Sequence, residues 1–422
     1  MTTTGLLRTG LAVVWVAMVS ASAAAPLLAD DWPQFLGPNR DATSAEKGLL
    51  RAWPEGGPKM LWRVDVGPGY GGAAVRDGKV YLLDRVDNQK EILRCLDLET
   101  GTEEWTVGYD APGKVDHNGS RSTPAVGAKT IVTVGVFGHV VGVDRATHKA
   151  VWAKNLLQEY GGKLPNWAVA QSPLLYKDLV ILAPQSRTVG MVALDPETGQ
   201  ERWRSGPIGG MAYASPAPAT VDGVEQIVLV TTGGAAGVAA DDGRVLWTYP
   251  YKCGIPVPGP MAVGDGRFFL TGGYNADSEI IRVRRTGSDF AAEGIHRFDG
   301  IGSHIHQPIL VGQCAYALCN TNDKADGLVC FGLDGAIKWQ TRRDPNLDKG
   351  GFVLTGDGLF YSMDGATGDL RILSPSPDGY KELAVAPGVL GGKEIWGPMA
   401  LSNGRLVVRD QRQMKCLDVK GP

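Results

Sequence analysis

Short apolar stretches alternate with polar turns along almost the whole chain after residue 30. Alternation with a period of two is typical of strands that bury one face. In the first repeating unit it predicts four strands, at 73–75, 80–84, 92–98 and 104–107. The 58 glycines and 26 prolines are scattered between such stretches and supply many tight turns. The pattern therefore predicts an all-β protein.

One hairpin motif recurs with constant spacing. Asp97 is followed by Gly101 and Trp105 in "LDLETGTEEW", and the same Asp-to-Trp spacing recurs in "VDRATHKAVW" and "LDPETGQERW". We expect the aspartate to accept backbone N–H bonds, the glycine to adopt a positive φ and the tryptophan to pack against a neighbouring repeat. His148 replaces the glycine in the second copy, so that turn is expected to differ slightly.

The aromatic residue that ends each unit gives the repeat length. The markers are Trp62, Trp105, Trp152, Trp203, Trp247, Phe298 and Trp339. Repeats of 41 to 51 residues with four short strands each are typical of propeller blades. Residues 399–419 supply three strands, and 58–66 supply the missing fourth.

We predict an eight-bladed β-propeller of four-stranded antiparallel blades. Its ring is closed by the N-terminal strand, which joins the C-terminal blade and so leaves no open edge. A ring of seven blades is the alternative if the weak unit at 351–385 is not a blade of its own.

The N-terminus reads as a targeting segment. Arg8 precedes an apolar, alanine-rich stretch from Leu11 to Ala25, which small residues close. We predict a signal peptide at 1–29, a non-repeating lead-in at 30–57 and the propeller at 58–422. No later stretch reaches the ~18 to 20 apolar residues of a membrane span, so the chain is expected to be exported, periplasmic or secreted.

Charge and cysteine content narrow the function further. The net charge of −3, without any run of Lys or Arg, argues against nucleic acid as a partner. Six cysteines in an exported chain permit disulfides, and Cys319 and Cys330 flank one predicted hairpin where a bridge could form. Free, buried thiols are the interpretation that we favour.

The repeated motif resembles that of the PQQ-like propeller family, whose members include pyrroloquinoline-quinone (PQQ) dehydrogenases and BamB-like proteins without enzymatic activity. The segment "DWPQFLGPNRD" at 31–41 resembles the start of exported, uncharacterised members of this family. The resemblance covers nearly all of the chain after residue 30. It implies the fold and leaves two activities open, a scaffold for envelope proteins or a quinone-dependent alcohol or sugar dehydrogenase.

Residues just before the innermost strand of each blade are expected to line the axial funnel, where propellers bind ligands. The polar and aromatic side chains in these segments form our predicted ligand site: His117, Asn118, Arg121, Trp167, Gln171, Tyr213, His304, His306, Gln307 and Trp396. "HIH" at 304–306 would place two imidazoles on one face of a strand. His304, His306, Asp116 and Asn118 are the weak metal candidates, and the histidines of different blades are expected to lie too far apart to share an ion.

The resemblance to quinone dehydrogenases implies PQQ, and Ca²⁺ held by Glu, Asn and Asp, often beside a pair of adjacent cysteines. This chain has no adjacent cysteines and few carboxylates in the axial segments, chiefly Asp116 and Glu394. Our first hypothesis is therefore a non-catalytic module that binds an envelope protein or a small ligand, with no assigned cofactor. The alternative is a PQQ- and Ca²⁺-dependent dehydrogenase with a divergent site.

Overall fold

A computed structural model of the chain describes residues 1–2 and 31–422, so most of the predicted signal peptide lies outside the described residues. The described part contains eight four-stranded antiparallel sheets and one short helix. Each sheet is one blade, which confirms the all-β, eight-bladed prediction. The weak unit forms its own sheet, so the seven-bladed alternative is wrong. Among the described residues, no helix is long and apolar enough to cross a membrane.

The strands follow the chain from the axis outward in blades 1 to 7. Blade 1 contains β2 (Ala74–Arg76), β3 (Lys79–Val86), β4 (Lys90–Asp97) and β5 (Glu103–Asp110); blade 2 contains β6 (Ala125–Val126), β7 (Thr130–Val134), β8 (His139–Asp144) and β9 (Lys149–Asn155). Blade 3 contains β10 (Leu174–Tyr176), β11 (Leu179–Leu182), β12 (Val192–Leu194) and β13 (Glu201–Arg204); blade 4 contains β14 (Ala217–Val221), β15 (Val224–Thr231), β16 (Gly234–Ala239) and β17 (Val245–Tyr249).

The second half of the ring repeats this arrangement. Blade 5 contains β18 (Met261–Gly264), β19 (Arg267–Thr271), β20 (Ser278–Thr286) and β21 (Asp289–Phe298); blade 6 contains β22 (Ile309–Val311), β23 (Cys314–Asn320), β24 (Ala325–Gly332) and β25 (Ile337–Gln340). Blade 7 contains β26 (Phe352–Leu354), β27 (Phe360–Met363), β28 (Leu370–Leu373) and β29 (Glu382–Ala386). The helix α1 (Leu156–Tyr160) follows β9, and the side chain of Asn155 caps its N-terminus.

Blade 8 closes the ring by joining the two ends of the propeller. It consists of β30 (Ala400–Ser402), β31 (Arg405–Arg409), β32 (Gln413–Asp418) and, outermost, β1 (Lys59–Asp65). The pairing of β1 with β32 is antiparallel and places Trp62 opposite Cys416. The predicted closure by the N-terminal strand is thereby confirmed.

The recurring hairpin turn has the predicted geometry. The Asp97 carboxylate accepts the backbone N–H groups of Glu99 and Thr100 at 3.1 and 3.0 Å, and Gly101 has a φ of 69°. In the second copy His148 adopts the same conformation, with a φ of 57°, so the expected difference in that turn is not found. The imidazole instead stacks on Trp105, with ring centroids 4.5 Å apart.

Tryptophans of the outer strands contact the turn of the next blade. Trp62 of blade 8 donates its indole N–H to the Leu98 carbonyl oxygen at 2.7 Å, and its ring lies directly over Gly101. Trp152 and Trp203 make the same kind of bond to the following blades. These contacts join successive blades by a hydrogen bond and a buried aromatic surface.

Trp247 of blade 4 donates to Gln226 of its own blade, and two further blades have no tryptophan at this position. In blade 1, Trp105 pairs with Cys95 next to an irregularity of the strand ladder between Cys95 and Leu96. The corresponding irregularity of blade 5 lies between Ile280 and Ile281, and the residue that pairs with Ile280 is His296, not the predicted marker Phe298. The His296 ring lies over Gly335 of blade 6. In blade 7 Ala384 takes this position, which explains why the sequence pattern is weak there.

The lead-in crosses one face of the ring, which we call the lower face, where the loops joining first and second strands lie. Trp32 is buried and exchanges backbone hydrogen bonds with Val75 of the first blade. Farther along, the Glu46 carboxylate accepts the backbone N–H groups of Asn403 and Gly404 in the last blade. Residues 31–57 thus cover the lower end of the axial channel and leave its upper end to the loops that precede the inner strands.

All six cysteines are free and buried, as favoured from the sequence. The bridge considered between Cys319 and Cys330 is absent. Burial raises the pKa of the Cys330 thiol to about 12 and raises that of Cys319 well above its ordinary value. Both therefore stay protonated and serve as small core residues.

Candidate functional site

A cavity of about 190 Å³ lies on the propeller axis near the upper face. Seven of the ten predicted ligand-site residues line it: His117, Arg121, Trp167, Tyr213, His304, His306 and Trp396. They come from the loops before the inner strands of blades 2, 3, 4, 6 and 8. The ring therefore brings together side chains that are up to 279 residues apart in sequence, His117 and Trp396.

The other three predicted residues lie elsewhere. Asn118 lines an open depression next to the cavity. Gln171 is fully buried, and its side-chain amide exchanges hydrogen bonds with the backbone of Ala183 at 2.6 and 2.7 Å. Gln307 is also buried and donates to the Arg40 carbonyl oxygen at 3.2 Å. Both glutamines bond to backbone groups outside the inner strands, and neither lines the cavity.

Several lining residues were missed by the sequence reasoning. Tyr70 belongs to an axial segment whose aromatic residue was a usable signal. Tyr274 and Asn322 come from loops between second and third strands, which also reach the upper face. Phe35 reaches the cavity from the lead-in on the opposite face. Only the closed ring shows that these loops meet.

Aromatic rings form two walls of the cavity. On one side Tyr70 and Trp396 lie with ring centroids 5.5 Å apart and planes inclined by 32°. On the other side Trp167 and Tyr213 lie 5.6 Å apart, and the Tyr213 hydroxyl accepts the Trp167 backbone N–H at 3.3 Å. Such walls favour a flat ligand with an apolar face.

Two positively charged side chains lie over the rings of the wall formed by Tyr70 and Trp396. The Arg121 guanidinium lies 5.8 Å from the Tyr70 ring centroid, and the Lys349 ammonium lies 4.7 Å from that of Trp396. Arg121 is held by backbone carbonyls, including that of Gly119 at 2.8 Å, and burial lowers its pKa to about 10. Lys349 donates to the Asn322 side-chain oxygen at 3.0 Å. The ring faces are thus already polarised by the protein's own cations.

His304 and His306 lie in a bend before β22, so the predicted placement on one face of a strand is wrong. Both are buried, and burial lowers the pKa of each to about 4, which keeps both imidazoles neutral at pH 7. The His304 ring meets the edge of Tyr274 at a centroid distance of 4.7 Å. Its Nδ1 has no hydrogen-bond partner among the described residues.

The depression beside the cavity carries the carboxylates. Its lining residues are Pro68, Tyr70, Asp116, His117, Asn118, Glu394 and Gln411. The Tyr70 hydroxyl donates a short hydrogen bond to Glu394, and His117 Nε2 lies 3.9 Å from the same carboxylate. Burial and Glu394 raise the pKa of the Tyr70 phenol above its ordinary range, so it remains a donor. His117 and Glu394 have positive φ values of 53° and 57°, a strained conformation that often occurs at functional sites.

The floor of the cavity comes from the lead-in. Phe35 lines it, and the Arg40 guanidinium lies 5.5 Å from the Phe35 ring centroid. Arg40 is buried and donates to the backbone carbonyls of Pro173 and Ser172 at 2.8 and 3.3 Å. Burial without a carboxylate partner lowers its pKa to about 9. The lead-in therefore closes the cavity from below.

Among the described residues, the axial cavity offers no carboxylate to a calcium-held quinone, and Asp116, Asn118 and Glu394 line the neighbouring depression instead. Ca²⁺ takes six to eight oxygen ligands, yet no Asp or Glu lines the axial cavity. In the described part of the chain, no three His, Cys, Asp or Glu side chains are grouped so that they could hold a metal ion. The metal candidates are split, with His304 and His306 in the cavity and Asp116 and Asn118 in the depression.

The fold is an eight-bladed propeller with a cavity on its axis. Residues 46–205 and 88–254 match the family described as "Outer membrane protein assembly factor BamB". Residues 46–254 thus match the PQQ/BamB-like propeller family, which confirms the resemblance seen in the repeats.

Two curated relatives share part of the sequence. The chain is 29% identical over 146 residues to a quinohemoprotein alcohol dehydrogenase of Comamonas testosteroni, a match that covers 31% of this chain and 18% of that protein. It is 29% identical over 167 residues to the serine/threonine-protein kinase AfsK of Streptomyces griseus, a match that covers 38% of this chain and 19% of that protein. The matches thus span about a fifth of each relative.

Solved structures confirm the fold alone. The Comamonas quinohemoprotein alcohol dehydrogenase superposes with a TM-score of 0.61 at 13% identity, over 93% of this chain and 81% of that one. BamB from Moraxella catarrhalis superposes with a TM-score of 0.53 at 13% identity, over 85% and 99%. The neighbours include both a dehydrogenase and an assembly factor, so the likeness does not choose between the two activities.

Proposed function

We propose that the protein is an exported propeller that binds a small ligand in its axial cavity without transforming it. The observation that carries this proposal is the cavity itself, which has aromatic side walls, a floor made by the lead-in and an opening at the upper face. Such a concave, largely apolar space with a few oriented polar groups is typical of ligand sites. Export is supported by the pattern of residues 1–29 and by the description of the matching family.

The chemistry of the lining supports binding over catalysis. Hydride transfer from an alcohol needs a base positioned beside the reacting carbon. Three histidines line the cavity. Burial lowers the pKa of His304 and His306 to about 4, which makes both weak bases, and His117 lies at the edge shared with the depression, 3.9 Å from Glu394. The Glu394 carboxylate lies in the depression and is occupied by the Tyr70 hydroxyl. The alternative remains a dehydrogenase, which the partial identity to the Comamonas enzyme favours.

A protein-binding role within the cell envelope is compatible with the axial site. The matching family is described as an outer membrane protein assembly factor, and the upper loops surround the mouth of the cavity. A ligand in the cavity could therefore accompany a partner on that face. Co-purification with envelope proteins tests this part of the proposal independently of ligand binding.

The proposal is tested by adding PQQ and Ca²⁺ to the purified protein and measuring quinone absorption with dye-linked oxidation of ethanol and glucose. In parallel, calorimetry measures binding of small ring compounds. We expect no turnover and saturable binding of at least one ring compound. Turnover that depends on PQQ would contradict the proposal, and so would a cavity that binds none of the ring compounds.

A further inference from the structure

The depression at the mouth of the cavity is a second, polar compartment of about 490 Å³. It shares Tyr70 and His117 with the axial cavity, so one ligand can occupy both compartments. Its remaining polar groups include Asn118, Glu394 and Gln411. The Gln411 side chain accepts the Gly69 N–H at 2.9 Å and donates to the Glu394 carbonyl oxygen at 3.0 Å, which fixes this wall.

The charges around the two compartments disfavour charged ligands of either sign. A cation is disfavoured inside, because the Arg121 guanidinium already lies over the Tyr70 ring, whereas Asp348, 3.9 Å from the Lys349 ammonium, offsets the charge near Trp396. An anion is disfavoured at the mouth, where Asp116 and Glu394 place two carboxylates. A ligand that spans both compartments is therefore best accommodated if it is neutral.

Three buried polar atoms of the two compartments lack a partner among the described residues and indicate what this neutral ligand offers: His304 Nδ1, His306 Nε2 and Asn118 Oδ1. Nδ1 of His304, a residue that is 7% exposed, makes no hydrogen bond with the described residues, and the same is true of Asn118 Oδ1. The amide oxygen needs a donor, whereas a neutral imidazole nitrogen needs either a donor or an acceptor. Hydroxyl groups meet both needs, because each can donate and accept. Leaving such buried atoms unpaired is unfavourable.

We propose that the cavity and the depression together bind a neutral saccharide. The apolar face of its pyranose ring packs against the inclined wall of Tyr70 and Trp396, and its hydroxyls bond to Asn118, Glu394 and His304. One oxygen of the Glu394 carboxylate accepts from the Tyr70 hydroxyl, and the other suits a ligand hydroxyl, since a carboxylate accepts several hydrogen bonds. This proposal rests on the proposed function and names the class of ligand for the same axial site.

The test is saturation-transfer NMR on the full chain with defined probes. Methyl glucoside, methyl galactoside, methyl mannoside, cellobiose and lactose represent neutral saccharides, whereas indole, benzoate and choline represent neutral aromatic, anionic and cationic ligands. We expect saturable binding of at least one saccharide, with the strongest transfer to the protons of its apolar ring face. Binding of indole, benzoate or choline without any saccharide would overturn this inference and leave the proposed function standing. If none of the probes binds, both the saccharide proposal and the proposed function are contradicted.

Substitutions at the mouth locate the saccharide. Asn118→Ala and Glu394→Gln are each expected to weaken binding about tenfold, the effect of losing one buried hydrogen bond. Glu293→Gln is the matched control, because this glutamate is exposed on the outer strand β21. Thermal melting checks that each variant is folded. Wild-type affinity in both mouth variants would show that the saccharide binds elsewhere and would overturn the proposal.

Discussion

Replacing Gly199 by alanine tests whether the tryptophan contacts between blades hold the ring together. Gly199 has a φ of 70°, and a methyl group there would lie 2.6 Å from the Trp152 ring of the preceding blade. Alanine in this conformation costs about 1 to 2 kcal/mol, and the overpacking adds about 1 to 3 kcal/mol. We therefore expect a loss of about 2 to 5 kcal/mol in the free energy of unfolding.

Gly223 supplies the matched control for this substitution. Its φ of 77° is similar, yet a methyl group there would meet nothing within 4 Å. Gly223→Ala should therefore lose only the conformational part, about 1 to 2 kcal/mol. Urea unfolding followed by far-UV circular dichroism measures both variants. Equal losses in the two variants would refute the claim that the Trp152 contact matters.

A double substitution separates the clash from the loss of the contact. Adding Trp152→Ala to Gly199→Ala removes the ring that the new methyl group would strike. The two substitutions should thus be less damaging together than the sum of their separate effects, by about 1 to 3 kcal/mol. Strict additivity would show that the two residues are not coupled.

Three further predictions concern buried polar groups and the lead-in. Burial lowers the pKa of His304 and His306 from 6.5 to about 4, so the unfolded chain binds more protons between these values. The free energy of unfolding should therefore fall as the pH drops from 6.5 to 4, by up to about 3 kcal/mol per histidine, as measured by urea titrations at each pH. Glu91→Ala leaves the buried Arg85 guanidinium without its carboxylate, 3.9 Å away, and should cost about 3 to 5 kcal/mol in the same assay. Trp32→Ala removes a side chain that is 1% exposed and should cost about 3 to 5 kcal/mol, with faster proteolytic cleavage of the lead-in.

Each of these three predictions has its own control. Replacing both histidines by glutamine should flatten the stability profile between pH 4 and 6.5, and an unchanged profile would contradict the assignment. Glu103→Ala breaks a partly exposed pair with Arg94 and should cost less than about 1 kcal/mol. Slow, wild-type cleavage of the lead-in in Trp32→Ala would show that Trp32 does not anchor it.

The architecture was predictable because its signals are local. The spacing of Asp97, Gly101 and Trp105 reflects a turn whose hydrogen bonds lie within five residues, and the same spacing recurs around the ring. In blade 5 the repeated motif is absent, and there the predicted marker residue was wrong. Phe298 was chosen as a marker because it is aromatic, but only the strand register shows that His296 takes the tryptophan position.

The axial site was less predictable because its members meet only when the ring closes. Segments before the inner strands correctly indicated residues such as Trp167 and Trp396. Gln171 fitted the same rule, yet it faces the backbone of its own blade, since the direction of one side chain is not encoded in blade periodicity. Phe35 and Tyr274 come from other parts of the chain, and no repeat spacing relates them to the axis.

The central claim is that ligand binds at the axial cavity, and two tryptophan variants test it most directly. Trp396 lines the cavity and donates to Asp348 at 2.8 Å, whereas Trp53 lies in the lead-in and donates to the Leu370 carbonyl at 3.0 Å. Calorimetric titration with the tightest-binding probe compares Trp396→Ala with Trp53→Ala. We predict a loss of affinity of about tenfold or more in Trp396→Ala only. Unchanged affinity in Trp396→Ala, with the variant folded, would contradict the account.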